Sequence, residues 1–271
     1  MIFDGVLLAN KIREELKSEG NLVGKRLVIF QTGNNESRYV KLKREMGESL
    51  GVKVEVRIID DLEKLKQAVL EVSKDSSIDG LLVQLPIAGA DNKKRDEILN
   101  LIDFKKDVDG LNPDGDKFLP AVVVAVEKIL LSGVQPLWEV EPQMAVVGAG
   151  GMVGKALVKR FGVGYKVIGI DIEERKSNHR EGRSLCAVMM WGSKQARENL
   201  MKCDVVISAT GKADLITSDM LMSGVIVIDL GYPKADFERK VSKIASFYTP
   251  VPGGVGPVTV VSLFENLSKT D

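Results

Sequence analysis

Two small groups of residues carry the chemistry this sequence offers. Tyr39 and Lys43 stand four apart in S-R-Y-V-K-L-K, so a helix puts both on one face. A lysine acting as general base or proton relay needs burial or a neighbouring dipole that favours its neutral form. The same segment holds Lys41 and Arg44, and a merely exposed basic helix accounts for it equally. Gln84 ends the apolar run of D-G-L-L-V-Q-L-P, residues 79–86, before Leu85 and Pro86. The C-terminal edge of a parallel sheet is its usual ligand side, and an amide there can hydrogen-bond such a lysine, or simply satisfy itself. Asp109 lies in K-D-V-D-G. Its carboxylate can accept two hydrogen bonds from an amino-pyrimidinone edge, or close an Asx turn.

The second group is M-A-V-V-G-A-G-G-M-V-G-K. Gly148, Ala149, Gly150, Gly151, Met152, Val153 and Gly154 join an apolar strand to a helix. A turn without Cβ atoms lets a pyrophosphate approach backbone amides at a helix N-terminus, where the dipole favours anions. The third glycine of the pattern falls one place later than in G-x-G-x-x-G, so context must supply specificity. The next strand, K-V-I-G-I-D, ends in Asp171 followed by Ile172, at about the 20-residue spacing of a ribose-binding carboxylate. Such an acid accepts from both ribose hydroxyls and repels a 2′-phosphate. With Ala149 rather than an arginine in the turn, NAD is favoured, although Arg175, Lys176 and Arg180 stand close enough in sequence to hold the phosphate of NADP. Ser208, Ala209, Thr210 and Gly211 end a later strand, on the expected nicotinamide-ribose side. Pro252, Gly253, Gly254, Gly256 and Pro257 form a stiff segment poor in side chains, able to bring backbone groups against a flat ligand.

The elements that must position these groups read as alternating helix and strand. In the first third, strands are predicted over 26–31, 52–59 and 79–85, and helices over 8–16, from a Ser37 cap to about 50, and over 61–73. That order argues for a parallel sheet with crossover helices. A polar loop over 103–119 is longer than a connector needs, which suggests function. A helix over 120–131 leads to a candidate linker over 133–142. Strands then follow over 144–147, 166–170, 185–190, 205–209 and 225–230, with a helix to about 161 after the glycine turn and a final helix over 258–267. The 271 residues carry 38 basic and 38 acidic side chains. Zero formal charge offers no field for nucleic acid or an anionic membrane surface. With 44% hydrophobic and 28% charged residues the chain is expected to be an ordinary globular protein. No apolar run approaches the ~18 residues of a membrane span, and the charge-broken N-terminus is not expected to be a secretory signal. Two cysteines, Cys186 and Cys203, and one histidine, His179, point to a reducing cytoplasm and no metal site. His179 is expected in solvent, and the cysteines, Trp138 and Trp191 in packing roles.

Four segments in order and spacing resemble the methylenetetrahydrofolate dehydrogenase/methenyltetrahydrofolate cyclohydrolase family: S-R-Y-V-K-L-K, D-G-L-L-V-Q-L-P, K-D-V-D-G and T-P-V-P-G-G-V-G-P-V-T. The resemblance covers nearly the whole chain. It implies that Tyr39 stacks on the aminobenzoate ring of a folate, Lys43 assists catalysis, Gln84 tunes Lys43 and Asp109 anchors the pterin. It further implies that Leu85, Pro86, Pro252, Gly253, Gly254 and Pro257 line the substrate, that the partners are tetrahydrofolate derivatives, and that the protein is a cytoplasmic homodimer. The family's G-R-S phosphate turn is Gly148-Ala149-Gly150 here, its P-C-T-P is Pro120-Ala121-Val122-Val123, and an extra segment follows Asp171, as in NAD-dependent monofunctional members.

The expected fold is α/β in two lobes: an N-terminal catalytic lobe over 1–135, a Rossmann-type nucleotide-binding lobe over 136–257, and a C-terminal helix over 258–271 packing back on the first, with the active site in the cleft between lobes. The expected function is oxidation of 5,10-methylenetetrahydrofolate with NAD, or with NADP, and hydrolysis of the methenyl product to 10-formyltetrahydrofolate. Three alternatives stay open: a monofunctional NAD-dependent dehydrogenase, a dehydrogenase of another small substrate, and a non-enzymatic NAD-sensing module.

Overall fold

A computed structural model describes residues 1–133, 141–171 and 188–270. By packing, the chain divides into two units: Ala9–Val124 with Thr259–Asp271, and Met1–Leu8 with Ala125–Val258. The division at Val124 falls inside a helix rather than after it, because a continuous helix contributes residues to both units.

The first unit contains most of helix α1 (Gly5–Glu19), strand β1 (Arg26–Gln31), helix α2 (Arg38–Ser49), strand β2 (Lys53–Ile58), helix α3 (Leu62–Lys74), strand β3 (Gly80–Val83) and helix α4 (Asn92–Leu99). The strands form a parallel sheet in the order β2-β1-β3. β1 and β3 are apolar and buried on both faces, as befits strands in a sheet covered by helices. β2 is an edge, with Val54 and Val56 partly covered on either side of the exposed Glu55. Ser37 and Asp61 cap α2 and α3, accepting from Val40 N at 3.2 Å and Lys64 N at 2.8 Å. α4 escapes the sequence reading: its capping Asp91 precedes a mostly charged run with an apolar face too short to show a period.

The second unit takes up the later part of helix α5 (Ala121–Gly133), then strand β4 (Gln143–Val147), helix α6 (Met152–Phe161), strands β5 (Lys166–Asp171) and β6 (Val188–Met190), helix α7 (Lys194–Leu200), strands β7 (Val205–Ser208), β8 (Ile226–Asp229) and β9 (Phe247–Tyr248), and the start of helix α8 (Val255–Ser268). Its sheet is wholly parallel in the order β6-β5-β4-β7-β8-β9, the doubly wound dinucleotide-binding order. Strand order reverses between β4 and β7, and that switch point is where such sheets bind ligands. The N-terminal residues extend the β9 edge, with Tyr248 N donating to Met1 O and Phe3 N to Tyr248 O. α7 and β9 are too short to be read from sequence. α8 begins at Val255, so Gly256 and Pro257 belong to its first turn rather than to the preceding loop; proline there removes only an N–H that has no intrahelical acceptor. Among the described residues, no helix is long and apolar enough to cross a membrane.

Candidate active site

Helix α2 sorts its cations. Lys41 faces solvent, and Arg44 pairs with Glu36 and Glu48. Lys43 is 1% exposed. Its Nζ lies 3.0 Å from Asp109 Oδ2 and 5.2 Å from the Tyr39 ring centroid. The helical spacing therefore does bring Tyr39 and Lys43 together, and the lysine is interior, not part of an exposed basic face.

Asp109 reaches Lys43 because its loop is fastened on several sides. The K-D-V-D-G segment runs beside β3, with Leu81 N donating to Lys106 O at 2.8 Å and a parallel bridge between Leu81 and Asp107. Asp107 is buried and accepts from the N–H groups of Gly110 at 3.1 Å and Asn112 at 2.6 Å. Burial pushes its carboxyl up to about 6, against those hydrogen bonds. Gly110 has φ +67°, and a Cβ there would lie 2.6 Å from the Leu119 carbonyl oxygen, so only glycine makes the turn without strain. Asn266 of α8 donates to Val108 O at 3.0 Å and Leu119 O at 3.1 Å. Phe264 and Leu267 of the same helix fill the space that side chains at Gly47 and Gly80 would occupy. The end of α8 thus buttresses the loop that holds Asp109.

Gln84 does not pair with Lys43. Its Nε2 donates to Leu85 O at 2.8 Å, and its Oε1 is buried without a partner. The ammonium takes the carboxylate, the stronger acceptor. Leu85 is half-buried and Pro86 exposed, joined by a cis peptide.

In the other unit, the glycine turn sits at the switch point. Gly148 has φ +86°, and a Cβ on it would meet Ala209 O at 2.7 Å. Ala209 N donates to Val147 O at 2.9 Å, so the 148–154 turn and the 208–211 turn are neighbours. A Cβ at Gly154 would collide with the Gly148 carbonyl, and one at Gly150 with Asp171 Oδ2. Gly151 caps α6 with no side-chain acceptor, and Met152 and Val153 form the helix's first turn. A backbone stripped of side chains at a helix N-terminus, with a strand-end carboxylate over it, fits the pyrophosphate and ribose of a dinucleotide. Asp171 is 5% exposed. Ile172, Arg175, Lys176, His179, Arg180, Cys186, Trp138 and most of the expected linker lie outside the described residues.

The Pro-Gly loop leads into α8. Gly254 N donates to Pro250 O at 2.8 Å, and Gly253 O accepts from Gly5 N at 2.9 Å. Gly254 is buried, with a hypothetical Cβ 2.5 Å from Pro250 O, whereas Pro252 is exposed.

Two family models match the chain. The tetrahydrofolate dehydrogenase/cyclohydrolase catalytic domain covers residues 3–109, and the NAD(P)-binding domain of the same name covers residues 139–271. The bifunctional protein FolD of Aquifex aeolicus is 30% identical over 100% of this chain and 94% of its own. That of a Nitratiruptor species is 32% identical over 99% and 96%. The crystal structure of the bifunctional dehydrogenase/cyclohydrolase FolD from Campylobacter jejuni superposes with a TM-score of 0.80 at 30% identity, covering 100% of this chain and 98% of that one.

The chain belongs to the tetrahydrofolate dehydrogenase/cyclohydrolase family. It is an NAD(P)-using enzyme of folate one-carbon metabolism, with methylenetetrahydrofolate dehydrogenase and methenyltetrahydrofolate cyclohydrolase activities. Within this dehydrogenase/cyclohydrolase, several polar residues escape the sequence reading. Asp107 supports Asp109 from inside its own motif. Asp229 and Asp236 are buried, and Asp236 accepts from the backbone of the 208–211 turn. A signal for Asp229 was present, an acid ending the apolar run I-V-I-D; Asp236 carried none, because its partners are distant in sequence. Among the described residues, no cluster of His, Cys, Asp or Glu could hold a metal ion.

Proposed function

We propose that Lys43 is the proton-handling residue of both reaction stages, and the buried Lys43–Asp109 pair is the observation that carries this reading. An ammonium removed from water is restricted to the few partners facing it, which suits it to holding a proton at one place rather than exchanging freely. Tyr39 would stack on the aminobenzoate ring. Asp109 would take the pterin edge, giving up part of its hold on Lys43 and so freeing the lysine toward the substrate. The unpartnered Oε1 of Gln84 is an acceptor for a substrate N–H or for a lysine released from Asp109. Leu85, Pro86, Pro252, Gly253, Gly254 and Pro257 would line the folate and exclude water.

A nicotinamide held there would supply a C4 acceptor for the hydride of the one-carbon bridge. The protein's contribution is orientation and a dry site. Gly148, Ala149, Gly150, Gly151, Met152, Val153 and Gly154 would cradle the pyrophosphate, Asp171 and Ile172 the adenosine ribose, and Ala209, Thr210 and Gly211 the nicotinamide side. In the second stage Lys43 would assist proton transfer as water attacks the methenyl carbon. NAD is preferred over NADP on this reading: Asp171 lies against the turn, where a 2′-phosphate would be repelled, and Ala149 supplies no guanidinium. The folate residues 1–135 and the nucleotide residues 136–257 divide the work, with 258–271 serving the former. A cytoplasmic homodimer completes the proposal, since symmetric dimers are the commonest assembly.

Absorbance-monitored turnover of 5,10-methylenetetrahydrofolate, with NAD and NADP in parallel, tests the reading. NAD should support faster turnover, and methenyl-folate should not accumulate beyond its uncatalysed decay. Accumulation would remove Lys43 from the hydrolytic step, and faster turnover with NADP would overturn the argument from Asp171.

A further inference from the structure

We infer that Asp236 is a positioning residue that fixes the 208–211 turn against the nicotinamide half of the cofactor, an inference that rests on the proposed role of that turn. Asp236 is fully buried. Its Oδ2 alone accepts four hydrogen bonds: from Ser208 Oγ at 2.7 Å, Thr210 N at 2.9 Å, Thr210 Oγ1 at 2.8 Å and Gly211 N at 3.1 Å. The turn is thereby wrapped around one oxygen atom. It follows β7 at the switch point, and Ala209 O is the atom that a side chain at Gly148 would strike. A shift of the turn by a fraction of an ångström would alter the cradle itself.

Asp236 is held in its turn by Asp229, at the end of β8. Asp229 Oδ1 accepts from Gly231 N at 2.8 Å and Asp236 N at 3.1 Å, and its Oδ2 from Phe237 N at 3.2 Å. Asp229 N donates to Thr249 Oγ1 at 2.8 Å, at the head of the Pro-Gly loop. The two buried carboxylates thus tie the turn after β7 to the segment after β8, and the Asp229 N–H adds the head of the Pro-Gly loop. Burying two acids is costly, and a turn needing only to change direction could close with a glycine and water. The arrangement fixes coordinates at the sheet edge where the ligand is expected, which is what a site held to about half an ångström requires.

The unpartnered Oδ1 of Asp236 makes the inference testable. Asparagine can keep its carbonyl oxygen on all four donors and put its amide where Oδ1 lies. Asp236→Ala removes the acceptor altogether. Calorimetric binding of NAD and of ADP, which lacks the nicotinamide and its ribose, should be compared with amide hydrogen exchange at Thr210 and Gly211. For Asp236→Ala we expect exchange to accelerate at least tenfold and NAD to bind about tenfold more weakly. ADP should bind within twofold of wild type, and Asp236→Asn should restore most of the loss. If Asp236→Ala does not fold, Ser208→Ala, which deletes one donor of four, should weaken NAD two- to threefold and spare ADP. Unchanged exchange would show that Asp236 does not hold the turn. Accelerated exchange with both ligands unaffected would show that the turn does not border the cofactor. Equal weakening of both ligands would reduce Asp236 to a general fold residue.

Discussion

Replacing Asp109 by alanine should cost the protein more stability than removing the lysine it pairs with. The Lys43 side chain is 2% exposed and that of Asp109 is 14% exposed. At their 3.0 Å separation, with an effective dielectric constant of about 20, the direct attraction is about 5 kcal/mol before desolvation is subtracted. Removing one member of a buried pair typically costs about 3 to 5 kcal/mol, because the other charge is left behind. In Asp109→Ala the stranded ammonium keeps the Tyr39 ring, worth about 1 to 2 kcal/mol when desolvated, and the neutral Gln84 Oε1 is a weaker acceptor than the lost carboxylate. We therefore expect a loss of about 3 kcal/mol. In Lys43→Met the stranded carboxylate can reach water, and the methionine fills the stem's volume, so about 1 to 2 kcal/mol should be lost. The double variant Lys43→Met/Asp109→Ala should be more stable than the sum of the two single losses implies by about 2 kcal/mol. Urea unfolding followed by circular dichroism reads these differences. Additive losses, or a larger loss from Lys43→Met than from Asp109→Ala, would refute the account of a buried pair in which each partner offsets the desolvation of the other.

Asp171→Ser should raise the KM for NAD and move the NADP-to-NAD ratio of kcat/KM toward NADP by about tenfold, roughly 1.4 kcal/mol, in parallel steady-state assays. Gly154→Ala drives a methyl into the Gly148 carbonyl, so a melting experiment should show about 1 to 3 kcal/mol lost and calorimetry little remaining NAD binding. Burial pushes the Asp107 and Asp229 carboxyls from the ordinary 3.8 up to about 6. At these two sites the folded chain therefore binds more protons than the unfolded chain between those values, and their contribution to stability falls as pH rises from about 4 to about 6. Asp107→Asn should flatten that slope, by roughly 1 to 3 kcal/mol across the interval, as read from unfolding at a series of pH values. Gly110→Ala should shift the urea midpoint downward by about 1 to 3 kcal/mol equivalent, since it combines a positive φ with a backbone collision, and it should weaken folate binding through Asp109.

Much of the site was legible because its signals are local. Ser37 and Asp61 announce their helices through side chains that meet N–H groups three residues on, and the apolar runs of β1 and β4 coincide with their strands. The glycine turn could be read because each glycine answers a steric demand of one short segment. α4, α7 and β9 were not legible, since two are charged, short helices and the third is two residues long. Their existence depends on the surfaces that receive them. Gln84 shows the limit from the other side: a suitable amide near a lysine suggested a hydrogen bond that the competing carboxylate takes instead.

Sequence alone determined the alternation of elements, the parallel sheets, the Tyr39–Lys43 face and the glycine cradle with its terminal acid, because these follow from periodicity and from backbone geometry within a few residues. Tertiary structure decided the burial of Lys43, its choice of Asp109, the support of that loop by Asp107 and Asn266, and the gathering of Ser208 and Thr210 on Asp236. Each of those contacts joins residues brought together only when helices cover a sheet and leave few polar partners within reach. In a dry interior, the nearest good acceptor takes the proton donor, and which acceptor is nearest is a property of the packed chain.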